Sequence, residues 1–220
     1  MPSSRKYTFS SRTTEKDYYN LRSLLKNDSD EDNDEDDEIE SSAELLEVNN
    51  SDIYLYSGID KKSAIFMNTN IKKLELKHLA ISNKYNIDPP PITIRINSEG
   101  GCVFSALSIV DTIRNCRVPV ISIVEGEAAS AATLISCVAN VRKITKHSHM
   151  LIHEMISHFW GKFDQFKDEW KNQNTLMKTL KTIYNDNTNM TKKTLDECLK
   201  KDIYWSANIC KKNGLVDEII

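Results

Sequence analysis

The sequence predicts an α/β protein, a parallel β-sheet flanked by helices, with a disordered acidic segment ahead of it. Two observations carry the sheet. Short apolar, β-branched runs alternate with longer segments of helical periodicity from about Ser51 to Ile220. Right-handed βαβ crossovers turn that alternation into parallel strands whose carboxyl ends all lie on one side. The third observation is charge: residues 1–50 hold 6 Lys/Arg against 14 Asp/Glu, and residues 51–220 hold 23 against 18. Two regions follow, a disordered acidic extension over residues 1–50 and a folded domain over residues 51–220.

Asp28 to Glu40 is almost entirely acidic, so it repels itself and has too little apolar surface to bury. Ahead of it, Tyr18 to Leu25 fits one short amphipathic helix. Order is expected to begin near Ser51. Ile53–Tyr56 reads as a strand closed by Ser57-Gly58, and Ile65 to Asn83 as a helix with Ile71, Leu74 and Leu79 toward the core. Asp88-Pro89-Pro90-Pro91 is a stiff turn before a strand over Ile92–Ile96, which ends at Asn97-Ser98-Glu99-Gly100-Gly101. Phe104 to Asn115 is a helix burying Ala106, Leu107, Ile109, Val110 and Ile113. A strand over residues 119–124, a helix after Ser130, and strands over Val141–Thr145 and Met150–Ile152 follow. The long helix over Phe163 to Tyr184 carries Phe166, Trp170, Leu176, Leu180 and Ile183 at helical spacing. A last helix is capped by Thr191, and the chain closes with a strand after Gly214, a helix-stopping glycine.

Composition excludes several classes. The five cysteines are scattered and odd in number, with no CxxC pair, so neither a zinc site nor a disulfide framework is expected, and a reducing compartment fits them. No metal or other cofactor is called for. No basic stripe interleaved with aromatics speaks for nucleic acid. The most apolar region, Val118 to Val141, contains Glu125 and Glu127, so no membrane span is expected. Met1–Thr14 is rich in Ser and Arg, as transit peptides are, but acid from Glu15 onward speaks against one, and no secretory apolar region follows Met1. The expected location is cytoplasmic.

The chemistry concentrates at Gly126-Glu127-Ala128-Ala129-Ser130-Ala131-Ala132. A serine among small residues at a strand-to-helix turn holds its hydroxyl in the open, beside backbone N–H groups that lack intrahelical partners. The same pattern also suits a plain N-cap serine flanked by alanines. Three loops follow strands and so reach one edge of the sheet: the glycine loop, the Ser130 turn and the segment at His153. A nucleophilic serine needs a base within hydrogen-bond reach. Of the five histidines only His153 sits directly at a strand exit, against His78, His147, His149 and His158. The carboxylate that would orient it stays open among Asp164, Asp168, Asp186, Asp196, Asp202 and Asp217. Glycines at 100 and 101 allow a substrate close to the backbone. Cys102-Val103 reads as a short strand to which an extended peptide can add. The chain order Ser, His, Asp differs from those of chymotrypsin, subtilisin and the α/β-hydrolases.

From Ser51 to Ile220 the chain resembles the proteolytic subunits of the Clp protease, a family of the wider crotonase-like fold. The likeness rests on Ile96-Asn97-Ser98-Glu99-Gly100-Gly101, Asp111-Thr112-Ile113, Gly126 to Ser130, Met150-Leu151-Ile152-His153, Asp202 to Ala207 and Gly214 to Asp217, in the family's order and near its spacing. The resemblance implies repeated ββα units with a protruding handle helix. It also implies a serine endopeptidase that hydrolyses unfolded polypeptides. Ser130 would be its nucleophile, His153 its base and Asp202 the partner of that base. The N–H groups of Gly101 and Ala131 would form the oxyanion hole, and residues 100–103 would bind the substrate strand. It further implies a homo-oligomeric ring and an AAA+ unfoldase as partner. No Walker-type GxxxxGK[ST] occurs, so this chain does not hydrolyse ATP by that route.

The sequence departs from the family at several points. Glu99 stands where proline is usual, and Ala131-Ala132 where a Met-Gly pair is usual. Glu154 to Trp160 replaces a Gln-Pro pair and a glycine-rich loop, and Lys201 replaces an arginine, which bears against the family's contact between rings. Residues 1–50 do not match the pore loop that couples to the ATPase. Three alternatives compete: a capsid-maturation protease of the same kind, a non-cutting partner subunit, and an acyl-CoA enzyme of the wider fold. The last needs no Ser–His–Asp set.

Overall fold

Ile92, Ile94 and Ile96 are fully buried, as are Ile53 and Leu55 on the neighbouring strand. Their alternate positions put them on one face of the sheet, which packs into the core. The structure, a computed structural model, describes residues 45–220. The acidic segment up to residue 44 and the helix expected over Tyr18–Leu25 lie outside the described residues. In chain order the elements are β1 Leu45–Asn49, β2 Asp52–Tyr56, α1 Lys61–Tyr85, β3 Ile92–Ser98, α2 Val103–Asn115, β4 Val120–Ala129 and α3 Ala131–Cys137. They continue with β5 Val141–Ile144, β6 His149–Leu151, α4 Phe163–Asn187, α5 Lys192–Leu199, β7 Tyr204–Ser206, α6 Ala207–Lys212 and β8 Glu218–Ile219.

The sheet runs β1-β2-β3-β4-β5-β8, and β6 branches from β4 with β7 beyond it. The pairings from β2 through β5 to β8 are parallel, as is β4 with β6. Those of β1 with β2 and β6 with β7 are antiparallel. The α/β architecture is therefore the expected one. Order begins before Ser51, however, because β1 forms a hairpin with β2 whose turn is set by Asn50 at φ 57°. Asparagine tolerates that left-handed conformation. The acids at Glu44 and Glu47 had masked the apolar content of Leu46 and Val48. Helix α1 also starts one turn earlier than periodicity indicates. Asp60 caps it, accepting from Ser63 N at 2.7 Å while its own N–H donates to Ser63 Oγ at 2.8 Å.

β4 holds the key to the site. Expected over residues 119–124, it runs on to Ala129 and changes neighbour on the way: Ile121–Val124 pair with β5, and Glu127–Ala129 with β6. The change occurs at Gly126, whose φ is +95°. A Cβ there would come within 2.6 Å of Asn97 Oδ1, so only glycine fits both the conformation and the space. A glycine inside a strand reads locally as a turn, which is why sequence reasoning stops the strand short.

Helix α4 divides along its length. Leu180, Ile183 and Tyr184 pack in the core, whereas Phe163, Phe166 and Trp170 are exposed. The first half therefore projects from the domain. The loop ahead of it folds back on it, with Gln173 Nε2 donating to Ser157 Oγ at 2.9 Å and Phe159 tilted against Phe166. Between loop and helix lies a cavity of about 680 Å³, lined by Met155, His158, Phe159, Trp170 and Met177 among others.

His78 is fully buried on α1. Its Nδ1–H donates to Pro90 O at 2.8 Å, and its Nε2 accepts from Ser51 Oγ at 3.1 Å. Burial pushes its pKa below the ordinary 6.5. The unfolded chain then takes up a proton that the folded chain refuses, so this residue lowers stability as pH falls through about 6.5. Urea unfolding midpoints should therefore drop between about pH 7 and about pH 5, and drop less in His78→Asn. An equal drop in both proteins contradicts this assignment.

Candidate active site

Ser130 follows the last residue of β4, with φ 52° and ψ −122°. A residue with a Cβ avoids this region, at a cost on the order of 1–3 kcal/mol. The turn is held from several sides. Ser130 N donates to Leu151 O at 2.8 Å, and Ser130 O accepts from Thr133 N at 3.1 Å and from Thr133 Oγ1 at 2.6 Å. Thr133 Oγ1 in turn meets Tyr184 OH at 2.6 Å, which ties the turn to the buried half of α4. Burial pushes the Tyr184 phenol well above its ordinary range, so it stays protonated. Strand and helix thus clamp the backbone of Ser130, while its hydroxyl has no hydrogen-bond partner among the described residues.

Sheet register brings the histidine. Ala129 lies opposite Leu151 in the parallel β4–β6 pair, so Ser130 and His153 leave the carboxyl ends of adjacent strands. The aspartate arrives by the antiparallel pair. Leu151 lies opposite Tyr204, and two further residues along each strand set His153 facing Asp202. The imidazole Nδ1 is 2.8 Å from Asp202 Oδ1. An ionised carboxylate only accepts, so Nδ1 carries the proton and Nε2 is left to face a hydroxyl. The histidine side chain is 17% exposed and the carboxylate 80% exposed.

Four of the five other aspartates are engaged elsewhere. Asp164, Asp168, Asp196 and Asp217 pair with Lys167, Lys171, Lys181 and Arg142. Among the histidines, His78 lies in the core and His158 lines the cavity beside α4. Neither Ser130 nor His153 lines that cavity.

The glycine loop closes the site. Gly100 (φ +94°) lies so near the serine turn that a Cβ on it would sit 2.5 Å from Ala129 O, 2.9 Å from Ser130 Cβ and 3.0 Å from Ala131 N. Ile59 N donates to Gly100 O, and Cys102 N donates to Ile59 O, both at 2.7 Å. In this bridge Gly101 turns its own N–H away from Ile59. The N–H groups of Gly101 and Ala131 have no acceptor among the described residues.

One expectation is corrected here. Cys102 and Val103, expected as a short strand, do not form one. The Cys102 N–H is already committed to Ile59, and Val103 is the first residue of α2. Hydrogen bonds from Ser105 hold the exposed Cys102 thiol below its ordinary pKa, which places a second ionisable group beside the glycine loop.

Sequence reasoning missed Thr133 and Tyr184 as supports of the serine turn. The Thr133 hydroxyl sits three residues after Ser130, a helix-capping distance that offered a local signal, whereas Tyr184 is 51 residues from Thr133 and offered none. Comparison with protein families finds that the model of the Clp protease family matches residues 47–220.

Proposed function

The chain belongs to the Clp protease family, and we propose that within this family of peptidases it is a serine endopeptidase whose catalytic residues are Ser130, His153 and Asp202. The observation that carries the reading is the His153 Nδ1–Asp202 Oδ1 contact of 2.8 Å at the strand next to the strained Ser130 turn. Ser130 Oγ attacks the carbonyl carbon of a peptide bond as His153 Nε2 takes its proton. Asp202 keeps Nδ1 protonated and stabilises the imidazolium that forms. The N–H groups of Gly101 and Ala131, unengaged among the described residues and fixed by the glycine bridge and by α3, receive the oxyanion. His153 returns the proton to the leaving amine. Water then repeats the cycle on the acyl-serine and releases the second product.

The substrate strand adds beside Gly100 and Gly101, along the side of the loop turned away from Ile59. The exposed aromatic residues of α4 and its loop, Trp160 at 100% and Trp170 at 65% exposure among them, support assembly into a homo-oligomeric ring. Unfolded polypeptides, delivered by an AAA+ unfoldase, are the substrates that such a chamber admits, and the cytoplasm is the proposed location.

Incubating the purified protein with short unstructured peptides tests the reading. New amino termini are expected, from particles whose native mass is a multiple of 25.2 kDa. Intact peptides after prolonged incubation overturn the peptidase mechanism, and a particle of one chain overturns the ring.

A further inference from the structure

We infer that Tyr204 and Glu127 are positioning residues, a polar strap that holds the strands bearing Ser130, His153 and Asp202 in catalytic register. The inference rests on the triad reading above. It starts from a weakness in the architecture. Asp202 lies in a segment, Lys200–Tyr204, that is exposed throughout. The adjoining strand β7 is three residues long and pairs only with β6. Little packing therefore fixes where the carboxylate stands along the sheet.

The Tyr204 hydroxyl donates to Glu127 Oε2 at 2.7 Å. Tyr204 is on β7 and Glu127 on β4, so the bond crosses over β6, the strand between them. Among the described residues it is the one side-chain hydrogen bond from β7 to β4. Strand alternation places it on the right face. Register partners share a side of the sheet, so Glu127, Ala129, Leu151 and Tyr204 point the same way. The strap therefore closes over Leu151, two residues ahead of His153, and starts two residues after Asp202, beside the contact of imidazole and carboxylate.

Its far end is anchored. Glu127 N donates to Asn97 Oδ1 at 3.2 Å, and the missing Cβ of Gly126 leaves room for that side chain. Asn97 lies near the end of β3, just ahead of the oxyanion glycines. One connected path, Asn97 to Glu127 to Tyr204, thus spans the ends of all the strands that carry the site. The bond to Glu127 pushes the Tyr204 phenol above its ordinary pKa, so it remains a donor across the neutral range.

The test is steady-state kinetics on a short peptide with the full chain. Tyr204→Phe removes the hydroxyl alone. It is expected to lower kcat roughly tenfold, with KM and the melting temperature unchanged, because the carboxylate loses its register and the substrate loses no contact. Glu127→Ala is expected to match it, and the double variant to be no worse, as for residues acting through one interaction. Glu127→Gln keeps an acceptor oxygen and should restore most of the rate. In an Asp202→Asn background, where no carboxylate remains to be positioned, Tyr204→Phe should change nothing. Full kcat in Tyr204→Phe, or the same fractional loss with and without Asp202, overturns the strap while leaving the triad in place. A fully active Asp202→Asn enzyme overturns the triad reading and the strap with it.

Discussion

Ser130→Ala is expected to lower peptide cleavage by roughly 10³-fold or more, leaving the fold and the assembly intact. The separation of the two effects follows from the surroundings of the side chain. The main chain of residue 130 is held by Leu151 and Thr133, but the hydroxyl has no hydrogen-bond partner among the described residues. Removing it creates no unsatisfied group and no cavity in the core. The left-handed backbone at φ 52° is as awkward for alanine as for serine, so the strain persists in the variant. Unfolding free energy should move by less than about 0.5 kcal/mol. Peptide hydrolysis with melting curves on wild type and variant checks both halves. Cleavage at the wild-type rate removes Ser130 from the mechanism.

Gly100→Ala is expected to be nearly as damaging by a different route. The added methyl would lie 2.5 Å from Ala129 O and 3.0 Å from Ala131 N, both backbone atoms that have nowhere to go. The conformation at φ +94° adds strain on the order of 1–3 kcal/mol. Either the glycine loop or the serine turn must shift. A displacement near 1 Å between nucleophile and oxyanion donors costs roughly 10²-fold in rate. The control is Gly58→Ala, on the segment between β2 and α1 that packs beside the glycine loop. Its methyl presses at 3.0 Å on the movable end of the Glu99 side chain and meets Gly100 O at an ordinary 3.7 Å, so activity should stay within about twofold of wild type. Equal activity in both variants contradicts the close approach of the two loops.

Most of what places the site was legible from local pattern. The alternating strand over Ile92–Ile96 and the helix over Phe104–Asn115, with their expected inward residues, match β3 and α2 almost residue for residue. Thr191 caps α5 as its sequence indicates, accepting from Thr194 N at 3.1 Å. Ser130 and His153 both announce themselves by following strands. The failures share a physical cause, which is that pairing partners are distant in sequence. β7 is too short to show a period, and it exists because β6, more than fifty residues earlier, offers it an edge. Asp202 stands out from the other aspartates only once that antiparallel register is known, so spacing left six choices open and the family resemblance alone singled one out. The reach of β4 to Ala129 depends on a neighbour exchange at Gly126 that no local signal reveals. The strand expected at Cys102 is absent for the same reason. The partner of its N–H, Ile59, lies 43 residues away.

The arrangement also explains why the acid can sit in solvent. Its role is to hold Nδ1–H and to balance an imidazolium that exists only during turnover, and both tasks ask for a carboxylate at the right distance rather than a buried one. Position, more than environment, is then what the fold has to supply.

The most direct measurement is covalent labelling with a fluorophosphonate, followed by peptide mass mapping of wild type and His153→Ala. If residues 130, 153 and 202 act as one acyl-transfer site, wild type acquires a single adduct, located on Ser130, and the histidine variant acquires it far more slowly. An unlabelled Ser130, or labelling indifferent to the imidazole, would contradict that site.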